Sequence, residues 1–163
     1  MRSNLAPIAV FSFRRLDLTK KLINSIKRNK LSKSSPIFFF VDFPKNEHQR
    51  EEVNKIIQFF KKINYFKKKK IIIRNKNYGV KNNILKGIDH IFNKFDKIIV
   101  LEDDLEISKN FLYAMNKLLN IHKENNDIFT ITGYTPSNIK LNQLFRNDFF
   151  LCKRPSSWGW ATW

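Results

Sequence analysis

The stretch IIVLEDDLEISKNF, residues 98–111, decides the reading of this chain. Four apolar residues run without interruption into Glu102, Asp103 and Asp104, and a second apolar pattern begins at Phe111. A short unbroken run of Ile, Val and Leu predicts a strand buried on both faces, as in a parallel sheet covered by helices. Ser108 is the expected N-cap of the helix that follows, whose apolar positions are Phe111, Met115, Leu118 and Leu119. Three adjacent carboxylates at the end of a buried strand repel one another and raise each other's pKa. A divalent cation relieves that repulsion, and Mg²⁺ and Mn²⁺ both favour one or two carboxylates together with phosphate oxygens. The triplet taken alone is equally readable as a helix cap or a surface acidic loop paired with lysines.

Outward from this stretch the same alternation repeats. Residues 8–13, IAVFSF, predict a first strand, and a helix follows with Asp17 near its start and Leu18, Leu22, Ile23 and Ile26 on one face. Residues 37–41, IFFFV, predict a second strand that ends at Asp42, shortly before Pro44. Residues 47–63 predict a helix with Val53, Ile56, Ile57 and Phe60 on its apolar face and acidic residues in its first turns. A short third strand is expected at 71–73, after the lysine run 67–70. The segment NKNYG, residues 75–79, predicts a loop in which Gly79 is able to take a positive φ, and Val80, Ile84, Ile88 and Ile91 mark a third helix. A fifth strand is expected at 128–132, a polar loop at 136–146 and a last strand at 149–151, before the tryptophan-rich end.

Strands alternating with helices predict one α/β domain over residues 1–163, with a mostly parallel central sheet and helices on both faces. Ligands of such sheets bind beyond the carboxyl ends of the strands. That places Arg14 and Arg15, Asp42, and the triplet Glu102-Asp103-Asp104 on one rim, where the arginines could contact phosphates.

Composition bounds what this rim can serve. Of 163 residues 42% are hydrophobic and 28% charged, a globular balance. Thirty-one Lys and Arg against 14 Asp and Glu give a formal charge of +17, which favours anionic partners and permits peripheral contact with an anionic membrane surface. The single cysteine, Cys152, excludes an internal disulfide framework, and the three histidines lack zinc-ligand spacing. A cytoplasmic location, at most peripheral to the inner face of the membrane, is the expectation. A basic nucleic-acid-binding domain is the competing class; the chain shows no RNP-like or helix-turn-helix signature, and no nucleic-acid partner is expected.

At this point the residues resemble a known family. The stretch IIVLEDDLEISKNF is similar to the acidic motif of GT-A glycosyltransferases, closest to the N-acetylglucosaminyltransferase I-like group and its bacterial relatives. Three further segments agree in order: PIAVFSFRRLDLTKKLINSI with the opening strand and helix, NYGVKNNILKGI with the segment before the acidic motif, and SSWGWATW with the tryptophan-rich turn beyond the donor site. The resemblance implies a Rossmann-like GT-A fold, a nucleoside diphosphate sugar as donor with a UDP-sugar favoured, Mn²⁺ or Mg²⁺ as cofactor, and transfer with inversion. It implies that Asp104 ligates the metal and that Glu102 and Asp103 contact the ribose and sugar side of the donor. It implies further that Phe13 and Arg14 line the nucleotide pocket, that Asp42 can accept a hydrogen bond from uracil, that Asn77 and Tyr78 approach the nucleotide again, and that Trp158, Gly159 and Trp160 form a turn on the sugar and acceptor side.

The resemblance also implies that a general base and much of the acceptor site belong to a segment beyond Trp163. The expectation is therefore a nucleotide-sugar-binding half without its acceptor portion. The alternative is an inactive remnant that at most binds nucleotide. The aromatic end, with Trp158, Trp160 and Trp163, is expected to lie exposed. The acceptor, whether glycan, lipid-linked or other, is not legible in the sequence.

Overall fold

The computed structural model describes residues 5–139 and 146–163. The elements follow in the order β1 (Ile8–Ser12), α1 (Leu16–Lys27), β2 (Ile37–Val41), α2 (Glu47–Lys62), β3 (Lys69–Ile73), α3 (Gly79–Phe92), β4 (Ile98–Glu102), α4 (Phe111–Ile121), β5 (Ile131–Thr132) and β6 (Trp160–Thr162). They build one six-stranded sheet in the order β3-β2-β1-β4-β6-β5. The first four strands are mutually parallel, and β6 runs antiparallel to both β4 and β5.

Burial on both faces explains the unbroken apolar runs. In β1, Ile8 and Val10 point to one side while Ala9 and Phe11 point to the other. The same parity divides Ile37, Phe39 and Val41 from Phe38 and Phe40, and Ile99 and Leu101 from Ile98 and Val100. The apolar stripes of α1, α2 and α4 cover the first side. The second side carries α3, through Ile84, Ile88 and Ile91. Each large apolar side chain buried this way contributes about 1.5–3 kcal/mol. Phe39 and Phe60, stacked with ring centroids 4.1 Å apart, fasten α2 to the sheet. On the other side α3 comes so close that a Cβ at Gly87 would lie 2.4 Å from the Phe11 ring.

The expected α/β class with helices on both faces is the observed one, and the departures have local causes. Helix α4 starts at Phe111 with Asn110 at its N-cap and no side-chain cap; Ser108 contributes only its carbonyl, which accepts from the Phe111 N–H at 3.2 Å. The fifth strand has only two residues, Ile131 and Thr132, and residues 149–151 form no strand. The sixth strand is Trp160–Thr162, in the segment expected to lie exposed. It is inserted between β4 and β5 with Ala161 fully buried. Trp160 packs against the α3-side core and Trp163 against the other, its indole N–H donating to the Leu119 carbonyl at 3.1 Å. Of the three tryptophans only Trp158 is exposed. No helix among the described residues is long and apolar enough to cross a membrane.

Candidate nucleotide-sugar site

The strand order creates the site. The chain leaves β1 toward β2 and β3, then returns to place β4 on the opposite side of β1. β1 and β4 stay paired to their carboxyl ends, and a reversal of strand order of this kind is where open α/β sheets bind ligands, just outside those ends. A cleft of about 430 Å³ lies there, walled by Phe11, Ser12, Phe13, Arg14, Arg15, Asp42, Lys45, Asn77, Gly79, Val80, Asn83, Ile84, Glu102 and Asp103. Six of the expected donor residues therefore share one wall: Phe13, Arg14, Asp42, Asn77, Glu102 and Asp103.

Asp42 follows β2 directly and is buried. Its Oδ1 accepts the backbone N–H of Phe43 and that of Tyr78, each at 2.9 Å, and its Oδ2 accepts the N–H of Gly79 at 2.9 Å. Gly79 is the first residue of α3, with φ +71°. The carboxylate thus caps α3 from another element and answers the positive end of its dipole. Asn77 reinforces the junction by donating to the Phe43 carbonyl at 2.6 Å. Tyr78 stands beside the cleft, its ring flanked by Arg74, Lys76 and Lys86 at 5.6, 5.7 and 5.3 Å from the ring centre.

The rim arginines part ways. Arg14 forms an ion pair with Glu52 of α2 at 3.6 Å. Arg15 reaches across the rim to the acidic triplet, donating through one guanidinium nitrogen to Asp103 and through the other to Asp104 at 3.0 Å. Asp103 is buried, and its second oxygen accepts the Phe13 N–H at 3.3 Å, which ties the end of β4 to the end of β1. Burial would lower the Arg15 pKa, but Asp103 and Asp104 together outweigh it and raise the value. Burial pushes the Asp103 carboxyl up, and the pull of Arg15 and the Phe13 N–H does not fully offset it.

Glu102 is half-buried, and among the described residues no hydrogen bond satisfies its carboxylate. Burial raises its pKa, Asp104 and Asp103 raise it further, and Arg15 only partly opposes them. An acid whose folded pKa is raised holds its proton longer in the folded chain. Its charge therefore costs stability as pH rises from the unfolded value, about 4.3, through the raised folded value. Glu102→Gln removes that cost. The variant should melt higher than the parent at pH 7–8, by on the order of 1–3 °C. The difference should vanish as pH falls toward 4. Thermal melts of the metal-free proteins across this range test the sign; a gap that widened on acidification would refute the assignment.

Among the described residues no three or more His, Cys, Asp or Glu side chains gather into a ready-made metal cage. The donor chemistry nevertheless fits a hard cation that takes one protein carboxylate and fills its shell from phosphate and water. Asp104 is half-exposed on the rim, and among the described residues only its Oδ2 is engaged, by Arg15.

The tryptophan turn lies at the same rim. Because β6 runs against β4, Trp160 pairs with Val100 near the carboxyl end of β4. Trp158 then projects beyond that end, its ring 4.5 Å from that of Tyr134. Gly159, at φ +73°, accepts the Gly133 N–H at 2.8 Å and presses against Phe111. The cleft wall holds neither Trp158 nor Trp160. Sequence reasoning passed over Tyr134 and Asn83, and put weight on Arg14 rather than Arg15. The one available signal was Asn83, a polar residue on the apolar stripe of α3 that is buried and accepts from Arg74 at 2.8 Å.

Known proteins carry the same architecture. The structure of Staphylococcus aureus TarS residues 1–349 in complex with UDP-GlcNAc superposes with a TM-score of 0.57 at 13% identity, over 85% of this chain and 37% of that one. A mannosyltransferase from Pyrobaculum calidifontis, PcManGT, in complex with GDP-Man and Mn²⁺, gives 0.56 at 8% identity, over 78% of this chain and 34% of that one. At such identities the likeness establishes the fold, that of GT-A glycosyltransferases. The chain spans little more than a third of the length of these two structures. No curated protein matches by sequence. The model of the GNT-I family matches residues 1–160, nearly the whole sequence, and the chain belongs to that glycosyltransferase family.

Proposed function

We propose that the cleft at the β1–β4 reversal binds a nucleoside diphosphate sugar, a UDP-sugar foremost, and that the chain serves transfer of the sugar to an acceptor with inversion. The observation that carries this reading is the convergence of Asp42, Glu102, Asp103 and the two rim arginines on one cleft at the strand ends. The UDP-GlcNAc and GDP-Man held by the two structural neighbours support it.

In this reading Phe13, Asn77 and Asp42 face the nucleoside, Glu102 and Asp103 face the ribose and sugar, and Arg14 faces the diphosphate. Asp104 would hold Mn²⁺ or Mg²⁺, which supplies Lewis-acid stabilisation to the departing diphosphate. Trp158, with Gly159 and Trp160 behind it, offers an aromatic plane to the apolar face of a sugar. In an inverting displacement the acceptor hydroxyl attacks the anomeric carbon opposite the diphosphate. The bond to the diphosphate oxygen breaks, and the hydroxyl proton passes to a base. We assign that base to no residue of this chain. The formal charge of +17 favours anionic partners, an anionic membrane surface among them.

Calorimetric titration with UDP, CDP and GDP, each with and without Mn²⁺, tests the reading. UDP should bind most tightly, and only with the metal. A chain that binds none of the three would refute it.

A further inference from the structure

We propose that Arg15 is a positioning residue that holds the place of a cation between Asp103 and Asp104 in the nucleotide-free chain and cedes Asp104 to a divalent metal when a diphosphate draws the guanidinium away. The inference rests on the nucleotide-sugar reading of the cleft and adds to it an order of assembly.

The two halves of the clamp differ in kind. Asp103 is buried and also held by the Phe13 N–H, so its contact with Arg15 is an anchor. Asp104 is half-exposed, as is Arg15 itself, and the 3.0 Å contact between them lies at the surface. An exposed ion pair of this kind is weak and exchangeable. The guanidinium cannot discharge at any working pH, so a divalent cation approaching Asp104 meets a fixed positive charge beside its ligand. Metal alone must either take the remaining oxygen of Asp104 against this repulsion or break the pair. A diphosphate offers the fork an alternative anionic partner of matching geometry, which frees Asp104 without leaving Arg15 unpaired. By linkage, whatever the nucleotide does for metal affinity the metal does for nucleotide affinity.

The opposite account, in which Arg15 merely props the carboxylates in shape for the metal, predicts the opposite sign when Arg15 is removed. The probe is MnCl₂ without nucleotide, followed by the loss of the free Mn²⁺ resonance in electron paramagnetic spectra. Arg15→Gln should bind Mn²⁺ alone about tenfold more tightly than the parent, within the usual range of coupling between sites. The enhancement of Mn²⁺ affinity by UDP should shrink. Arg15→Lys keeps the charge and should bind Mn²⁺ alone within about threefold of the parent. Weaker or unchanged binding of Mn²⁺ by the Gln variant, or a Lys variant as tight as the Gln variant, would overturn the proposal. If the Gln variant fails to fold, weaker Mn²⁺ binding by the Lys variant than by the parent overturns it, and equal or slightly tighter binding supports it. A parent chain that binds no nucleotide overturns both this inference and the functional reading beneath it. A parent that binds UDP with Mn²⁺, beside a Gln variant of unchanged Mn²⁺ affinity, overturns this inference alone.

Discussion

Asp104→Asn should raise the dissociation constant for UDP in the presence of Mn²⁺ by more than about a hundredfold, while the melting temperature of the free chain stays close to that of the parent. The two halves of this expectation have separate physical grounds. An amide oxygen carries no net charge, and a hard divalent cation with a single protein carboxylate loses its main electrostatic partner when that charge goes. The fold has little at stake in the same side chain. Asp104 is half-exposed, sits beyond β4, and among the described residues its side chain bonds only with Arg15, at the surface. Loss of an exposed ion pair costs at most about 1 kcal/mol. Titration of UDP into parent and variant at fixed Mn²⁺, with a melt of each protein, checks both. Equal affinities would remove Asp104 from the metal site, and a large fall in melting temperature would make it structural.

The parts of this molecule that were legible in the sequence are those whose cause is local. Strands β1, β2 and β4 and helices α1 to α3 announce themselves because burial on two faces, or on one stripe, imposes a pattern within a dozen residues. That their carboxyl ends share a rim follows from parallel alternation alone. Strands β5 and β6 carry no such pattern. They have two and three residues, and they exist because β4 presents an open edge to a segment almost sixty residues later. The aromatic end therefore reads as a surplus of exposed tryptophan, although Trp160 and Trp163 are half-buried against the core and Trp160 belongs to the sheet as well. Within the site, the residue types were legible and their partners were not. Two adjacent arginines look alike in the sequence. Their different directions depend on an acid on α2 for Arg14 and on a carboxylate pair 88 and 89 residues away for Arg15. Asp42 likewise reads as a rim acid, but its three donors include two from a helix start 36 and 37 residues later.

That position of Asp42 makes its removal the most damaging single change expected in the cleft. Asp42→Ala strips the acceptor from the N–H groups of Phe43, Tyr78 and Gly79 at once, in a buried place. A hydrogen bond to a charged group contributes about 1.5–3 kcal/mol, and an orphaned buried donor costs about 1–3 kcal/mol. Some of this is recovered when water enters from the cleft, so the expected loss is about 3–5 kcal/mol, or roughly 10 °C in melting temperature. Asp42→Asn should fall between: its oxygen still serves one side of the junction, while its amide turns a donor toward another donor. The same count bears on base choice. A carboxylate has about four acceptor directions, and three are taken here, two on Oδ1 and one on Oδ2. In the proposed reading the fourth, on Oδ2, meets the ring N–H of uracil, which cytosine lacks at neutral pH. The Asn variant, folded but without that acceptor charge, should therefore lose much of any preference for UDP over CDP. Melts give the stability and competition titration gives the preference. A stability loss below about 1 kcal/mol would break the capping argument. A UDP to CDP ratio that survives in the Asn variant would confine Asp42 to holding α3 in place, and base selection would then fall to other groups of the wall, Asn77 first among them.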